Sequence, residues 1–172
     1  MINLNVIFKI FTIIALFFFK LSHAEYSKND VKIENFKDSD HYYLLLARDR
    51  INEKSQRYFG SNLNGEKNYD LKLLQRIFDY EYKNQYSQRT WQDMGVILGE
   101  TLTRNHAIKW VIYIDHLGIS RALQIKNSFD FLFPITMISR RAEADIRVNI
   151  FDLYQAAEEK IKKIEERTKN IH

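Results

Sequence analysis

Apolar residues recur at helical spacing in five stretches of the chain and alternate in one region between them. In residues 38–59, Leu44, Ala47, Ile51 and Tyr58 fall on one stripe, while Arg48, Arg50, Glu53 and Lys54 occupy other faces. Asp38, Ser39 and Asp40 offer N-cap oxygens for this helix, and Gly60 suits the left-handed stop after it. Residues 61–68 are turn-rich. Asp70 is placed to cap a second helix carrying Leu71, Leu74, Ile77 and Phe78, which the polar run 83–89 ends. Thr90 opens a third helix, with Asp93 completing a weak capping box and Met94, Ile97, Leu98 and Leu102 as its stripe. Glu100 and Arg104 are spaced for an i,i+4 ion pair on its surface.

Two glycines interrupt that third helix. Gly95 and Gly99 each cost about 0.8–1 kcal/mol relative to alanine in a helix interior, so packing has to compensate. Four residues apart, they share a face that another backbone can approach closely. We expect this bare face to lie flush against the β-region that follows.

The pattern then changes from a period of 3.6 to a period of 2. Residues 110–114 (WVIYI) are β-branched and aromatic, residues 115–118 (DHLG) supply turn chemistry, and Ile119, Arg121, Leu123 and Ile125 alternate. These features predict a hairpin with Gly118 as the left-handed residue of its turn. Residues 129–133 can return as a third strand. Pro134 ends it, since proline cannot donate to the ladder, and starts a short helix over residues 135–145 at N1. Asn149 then caps a last helix with Ile150, Leu153, Ala157, Ile161 and Ile164 along one side. The predicted fold is α+β: a small antiparallel three-stranded meander packed by about five helices, in the order α-α-α-β-β-β-α-α. It occupies residues 38–172, with a tyrosine-rich helical front half (38–89) and a second half (90–160) holding the hairpin.

Residues 1–24 read differently. Lys9 precedes the apolar run 10–19, and Ser22 and Ala24 place small residues three and one positions before a cut, the grammar of a cleaved secretory signal. Ten uncharged apolar residues span about 15 Å as a helix, half of a hydrocarbon core. The expectation is export to the periplasm or exterior of a bacterium, cleavage after Ala24 and no later membrane span. Residues 25–37 read as a polar lead-in. Losing Lys9 and Lys20 lowers the net charge from +4 to +2, so the basic balance gives no argument for nucleic acid. With no cysteine, the chain has no disulfide framework, thiolate metal site, cysteine nucleophile or cysteine lipid anchor. No GxGxxG or GxxxxGK[ST] run occurs, so nucleotide chemistry is not expected and no cofactor is implied.

The run MGVILGETLTRNHAIKWVIYIDHLGISRAL, followed by LFPITMISRRAEADIRVNIFDLY, resembles a bacterial family of unknown function, the domain-of-unknown-function family numbered 3806, over residues 91–159. Gly95 and Gly99 match the glycines of its helix, Trp110 and Asp115 its strand and turn, and Gly118, Ala122 and Leu123 its hairpin. Pro134, Ile138, Ser139, Arg141 and Glu143 fit its P-x-x-x-I-S-[KR]-R-x-E run. The resemblance implies structural roles for Gly95, Gly99, Trp110, Gly118 and Pro134. At Ala144 and Asp145 the chain departs from a glycine-containing turn. The family carries no assigned activity, so the likeness implies a domain and no reaction.

Three sets of residues carry candidate chemistry. Ser139, Arg140 and Arg141, with Tyr113 on the preceding hairpin, form the candidate binding set, because paired guanidinium forks grip carboxylate or phosphate. The plainer alternative pairs one arginine with Glu143 or Asp145. Asp115 and His116, joined by Arg141 and Glu143 and with Glu100 or His106 nearby, are the candidate set for a small exported hydrolase, although aspartate is also favoured in turns for its own hydrogen bonds. Ser120 and Ser139 lack a nucleophile-elbow context, and the histidines show no ligand spacing, so no metal is expected. Tyr42, Tyr43, Tyr58, Tyr69, Tyr80, Tyr82 and Tyr86 suit both half-buried packing and interface anchoring. The reading these features favour is an exported, non-enzymatic module binding another envelope or secreted protein, or an envelope component. A hydrolase and an immunity-like inhibitor are the alternatives, and oligomeric state is not legible.

Overall fold

The structure, a computed structural model, describes residues 31–83, 88–126 and 128–169. The signal sequence expected over 1–24, the first residues of the lead-in and Tyr86 lie outside the described residues. Nine elements follow in order: β1 (Lys32–Asn35), α1 (Asp38–Phe59), α2 (Lys67–Lys83), α3 (Gln88–Asn105), β2 (Ile108–Asp115), β3 (Gly118–Ile125), β4 (Phe131–Leu132), α4 (Pro134–Glu143) and α5 (Ile150–Lys169). The class is α+β, with five helices on one antiparallel sheet in the order β1-β2-β3-β4. The fourth strand is β1, from within the stretch expected to be a polar lead-in. It pairs with β2 from Lys32 opposite Ile114 to Asn35 opposite Val111. Its four residues KIEN carry one apolar side chain, too little alternation to register as a strand. The meander strand expected over 129–133 shrinks to two residues, paired with Leu123 and Gln124 only.

The helix starts show where local and tertiary chemistry compete. In α1, Asp40 reaches back to accept the Lys37 N–H at 3.1 Å, and its other oxygen accepts from Arg121 of β3 at 2.8 Å. Gly60 closes the helix with φ +59° as expected. α2 begins three residues before Asp70, because Glu66 accepts the N–H groups of Asn68 (3.0 Å) and Tyr69 (2.6 Å). Asp70 is instead buried, tying Asn64 N and Gly65 N of the loop to Arg104 of α3. Asp93 is likewise withdrawn from capping, gripped by both Arg50 forks at 2.7 Å. The expected Glu100–Arg104 pair does not form: Glu100 takes Arg48 at 2.8 Å and Arg104 takes Asp70 at 3.1 Å. Cross-helix partners at burial outcompete a surface pair worth a few tenths of a kcal/mol. At α5 the local signal wins, with Asn149 Oδ1 accepting from Phe151 N and Asp152 N.

The main core joins α2, α3 and α5 to one sheet face through Phe78, Met94, Leu98, Leu102, Leu123 and Ile161. A smaller cluster packs α1 (Leu44, Ala47) and Val96 against Trp110 and Ile135. The glycine face of α3 lies against the start of α4 more than against the ribbon. A Cβ on Gly95 would stand 2.5 Å from Ile135 Cα and Pro134 O, and one on Gly99 would collide with the Trp110 indole and sit 3.2 Å from the Pro134 ring. The close approach is as expected; its partner at Gly95 is a helix N-terminus, reached because the two-residue β4 delivers Pro134 there directly. Among the described residues no helix is long and apolar enough to cross a membrane.

Candidate functional site

Alternation along β2 sends Ile108 and Trp110 to the helices and Val111 and Tyr113 to the opposite sheet face. There they meet Ile33, Ala122, Phe131 and Phe133, a cluster with no helical member. Asp115 shares the parity of Tyr113. The β2–β3 register sets Tyr113 opposite Ser120 and Asp115 opposite Gly118, whose φ of +125° closes the two-residue turn His116-Leu117. The Asp115 carboxylate spends one oxygen on that turn, accepting the Leu117 N–H at 2.9 Å.

Because β4 covers only Leu123 and Gln124, the outer part of β3 has no strand neighbour on that side among the described residues, and α4 takes the chain onward in contact with β3. Thr136 and Arg140, four residues apart, project from one face of α4. With Tyr113, Asp115, Ser120 and Phe133 they enclose a groove of about 310 Å³, and Leu117 forms its rim at the hairpin tip. The aromatic wall is braced edge-on: Tyr113 meets Phe131 at 5.0 Å and Phe133 at 5.2 Å. Thr136 donates its hydroxyl to Phe133 O at 3.1 Å, pinning the first turn of α4. Arg140 is exposed and makes no ion pair among the described residues, although Asp115 lines the same groove. Leu117 stands out at that rim, 82% exposed.

The sequence candidates thus separate. Tyr113, Asp115 and Arg140 come together from segments some 25 residues apart in sequence. Ser139 is buried within α4, and Arg141 folds back to donate to Met137 O at 2.7 Å. Neither arginine pairs with Glu143 or Asp145; Asp145 accepts the Tyr82 hydroxyl at 2.7 Å instead. Of the four groups the hydrolase alternative asks for, Asp115 lines the groove, whereas His116, Arg141 and Glu143 do not. Glu100 and His106 lie elsewhere, on Arg48 and on Glu158 (3.3 Å). Lys162 donates to Glu158, and this bond, with further help from His106, holds that carboxyl below its ordinary pKa. Among the described residues no group of three or more histidine and carboxylate side chains is arranged to hold a metal ion. Sequence reasoning missed Thr136 and Phe133. The i,i+4 spacing of Thr136 with Arg140 was the available signal, and nothing local announced that this face would meet Tyr113.

A second polar cavity, of about 330 Å³, lies between α1, α3 and the loop before α2, lined by Arg48, Asp70, Glu100 and Arg104. All four charges there are paired with one another across the helices, so their donors and acceptors are already engaged.

Residues 70–154 match the family model described as Domain of unknown function (DUF3806). The match begins at Asp70 and so takes in α2, ahead of the 91–159 span expected from the sequence. No curated protein matches the chain. A crystal structure from Bacteroides thetaiotaomicron VPI-5482 is similar, with a TM-score of 0.65 at 18% identity over 78% of this chain and 50% of that one. The chain spans half the length of that protein, and the likeness is one of fold.

Proposed function

We propose, proceeding from a chain whose residues 70–154 match the DUF3806 family model, that this protein is an exported, non-enzymatic binding module. Its ligand is another envelope or secreted protein, or an envelope component, held at the groove between the β2–β3 hairpin and α4. The observation that carries this reading is Arg140. Several arginines are consumed by fold-holding pairs, such as Arg48–Glu100, Arg50–Asp93 and Arg104–Asp70. Arg140 keeps its forked donors unspent beside an aromatic wall and the exposed Leu117 side chain. Aromatic and arginine anchors next to exposed apolar surface are the composition of a recognition site. Asp115, with one oxygen committed to its own turn, supports a recognition role over proton transfer.

The test is crosslinked capture from envelope extract with the full chain and with Arg140→Gln and Leu117→Asp variants, after thermal melts show all three equally folded. A specific partner recovered by the parent chain and lost from both variants supports the reading. Recovery that does not change with either substitution refutes it, as does an absence of any crosslinked product together with no small-molecule binding at the groove.

A further inference from the structure

We infer that the hairpin groove recognises the zwitterionic head of an α-amino acid, an ammonium and a carboxylate on one carbon, attached to an apolar stem. This inference rests on the binding reading above and specifies its ligand.

The argument is one of charge balance. The groove holds a cation, Arg140, and an anion, Asp115, which make no ion pair with each other. A simple carboxylate ligand would satisfy Arg140 and be opposed by Asp115; a simple amine would meet the reverse. A ligand carrying both charges a carbon apart satisfies the two together and leaves the groove neutral. Chemistry at each end fits. Arg140 offers the fork that matches a carboxylate with two parallel N–H donors. Asp115 is positioned by the Leu117 N–H on one oxygen, which leaves the other to accept from an ammonium. Ser120, opposite Tyr113 in the ladder, adds a side-chain hydroxyl to the lining. The edge-braced Tyr113 and Phe133 give the stem an apolar wall whose geometry is set before binding. A volume of about 310 Å³ admits one amino-acid unit rather than a folded segment. Two sources present this head: a free amino acid, and the unblocked far end of a diamino acid built into an envelope peptide.

Calorimetric or NMR titration of the full chain tests the inference with leucine, phenylalanine, a diamino-dicarboxylic acid and a peptide carrying that diamino acid with its far end free. N-acetyl and amide derivatives of each, where they block the head, serve as the comparison. Binding of at least one zwitterion, weakened about ten-fold or more by either block and by Arg140→Gln or Asp115→Asn, supports it, since each change removes a charge-assisted hydrogen bond. Asn keeps the acceptor that holds the Leu117 N–H, so loss at Asp115→Asn reads charge rather than turn integrity. Preference for the free amino acids or for the peptide identifies the source. Blocked forms that bind as well as free ones overturn the inference, and so does an absence of binding by every zwitterion. If zwitterions fail while Arg140→Gln still abolishes crosslinked capture, the ligand class is wrong and the binding module stands; if both fail, both readings fall.

Discussion

Replacing Gly95 by alanine sets two opposing energies against each other. Alanine is the better helix former by about 0.8–1 kcal/mol, so in isolation α3 would gain stability. The new Cβ, however, would stand 2.5 Å from both Ile135 Cα and Pro134 O, and these are backbone atoms that no rotamer change can move aside. Ordinary contact begins near 3.4 Å, so α3 and the start of α4 must part by about 0.9 Å. A radial gap of that size forfeits about a quarter to a half of the dispersion energy across the contact. Overpacking of this kind costs about 1–3 kcal/mol and more where backbone has to shift. With backbone atoms on both contacts the cost falls in the upper part of that range, and subtracting the helix gain leaves a net loss of about 1–2 kcal/mol, a fall in Tm of roughly 3–8 °C for a domain of this size. Thermal and urea melts of the full chain followed by circular dichroism measure it, with Gly60→Ala as the comparison. Nothing lies within 4 Å of a Cβ at Gly60, whose φ of +59° alone should cost about 1–2 kcal/mol. A Gly95→Ala protein as stable as the parent would refute the reasoning that this glycine exists for the approach of α4.

Three further outcomes follow from the same structure. Arg50→Met should cost about 2–4 kcal/mol in urea melts, because it strands the Asp93 carboxylate, 1% exposed, without its forked partner. Adding Asp93→Leu should recover most of that loss, and a cycle with coupling below about 0.5 kcal/mol would show the pair to be dispensable. Burial first, and the nearby Glu158 charge second, push the Tyr154 pKa up to about 12. The unfolded chain therefore ionises near pH 10 while the folded chain holds its proton, so stability is intact below pH 10 and falls between pH 10 and 12. Tyr154→Phe should flatten that fall and, because the buried hydroxyl lacks a hydrogen-bond partner of good geometry, leave stability at pH 7 unchanged or higher. An equally steep alkaline loss in the phenylalanine variant would contradict this. Asp145 holds φ +56° just after α4, in the left-handed region that favours glycine. Asp145→Ala should lose about 1 kcal/mol or more, whereas Asp145→Gly should be near neutral, trading backbone relief against the Tyr82–Asp145 bond of 2.7 Å. Equal melting temperatures for the two would remove the argument.

Local signals were legible where local energies decide. The stripe of α5 and its Asn149 cap, the Gly60 stop, the hairpin turn at Gly118 and the proline start of α4 all depend on residues within one or two turns of each other. The need for something to rest on Gly95 and Gly99 could also be read, because two bare positions in a helix carry a cost that only packing offsets. The carboxylates could not be assigned in that way. Asp70, Asp93 and Glu100 each sit at a spacing suited to a cap or a surface pair, and each is taken by an arginine from another helix or by a distant loop. Burial decides this, since an ion withdrawn from water gains more from a forked partner than from a neighbour along its own helix.

The candidate groove divides along the same line. Tyr113, Asp115 and Arg140 were each identifiable by residue type, and the parity of β2 and the four-residue spacing of Thr136 and Arg140 set which way each faces. That they face one another depends on the length of β4. A strand of two residues hands the chain to Pro134 beside the outer part of β3, and the shared contact of Pro134 with Gly95 and Gly99 fixes where α4 runs. Sequence by itself therefore determined the elements, their order and the chemistry each one carries, because those follow from periodicity and turn geometry. Tertiary structure alone decided which charges are spent on holding helices together and which are left at a groove, because that choice depends on the distances between elements remote in the chain.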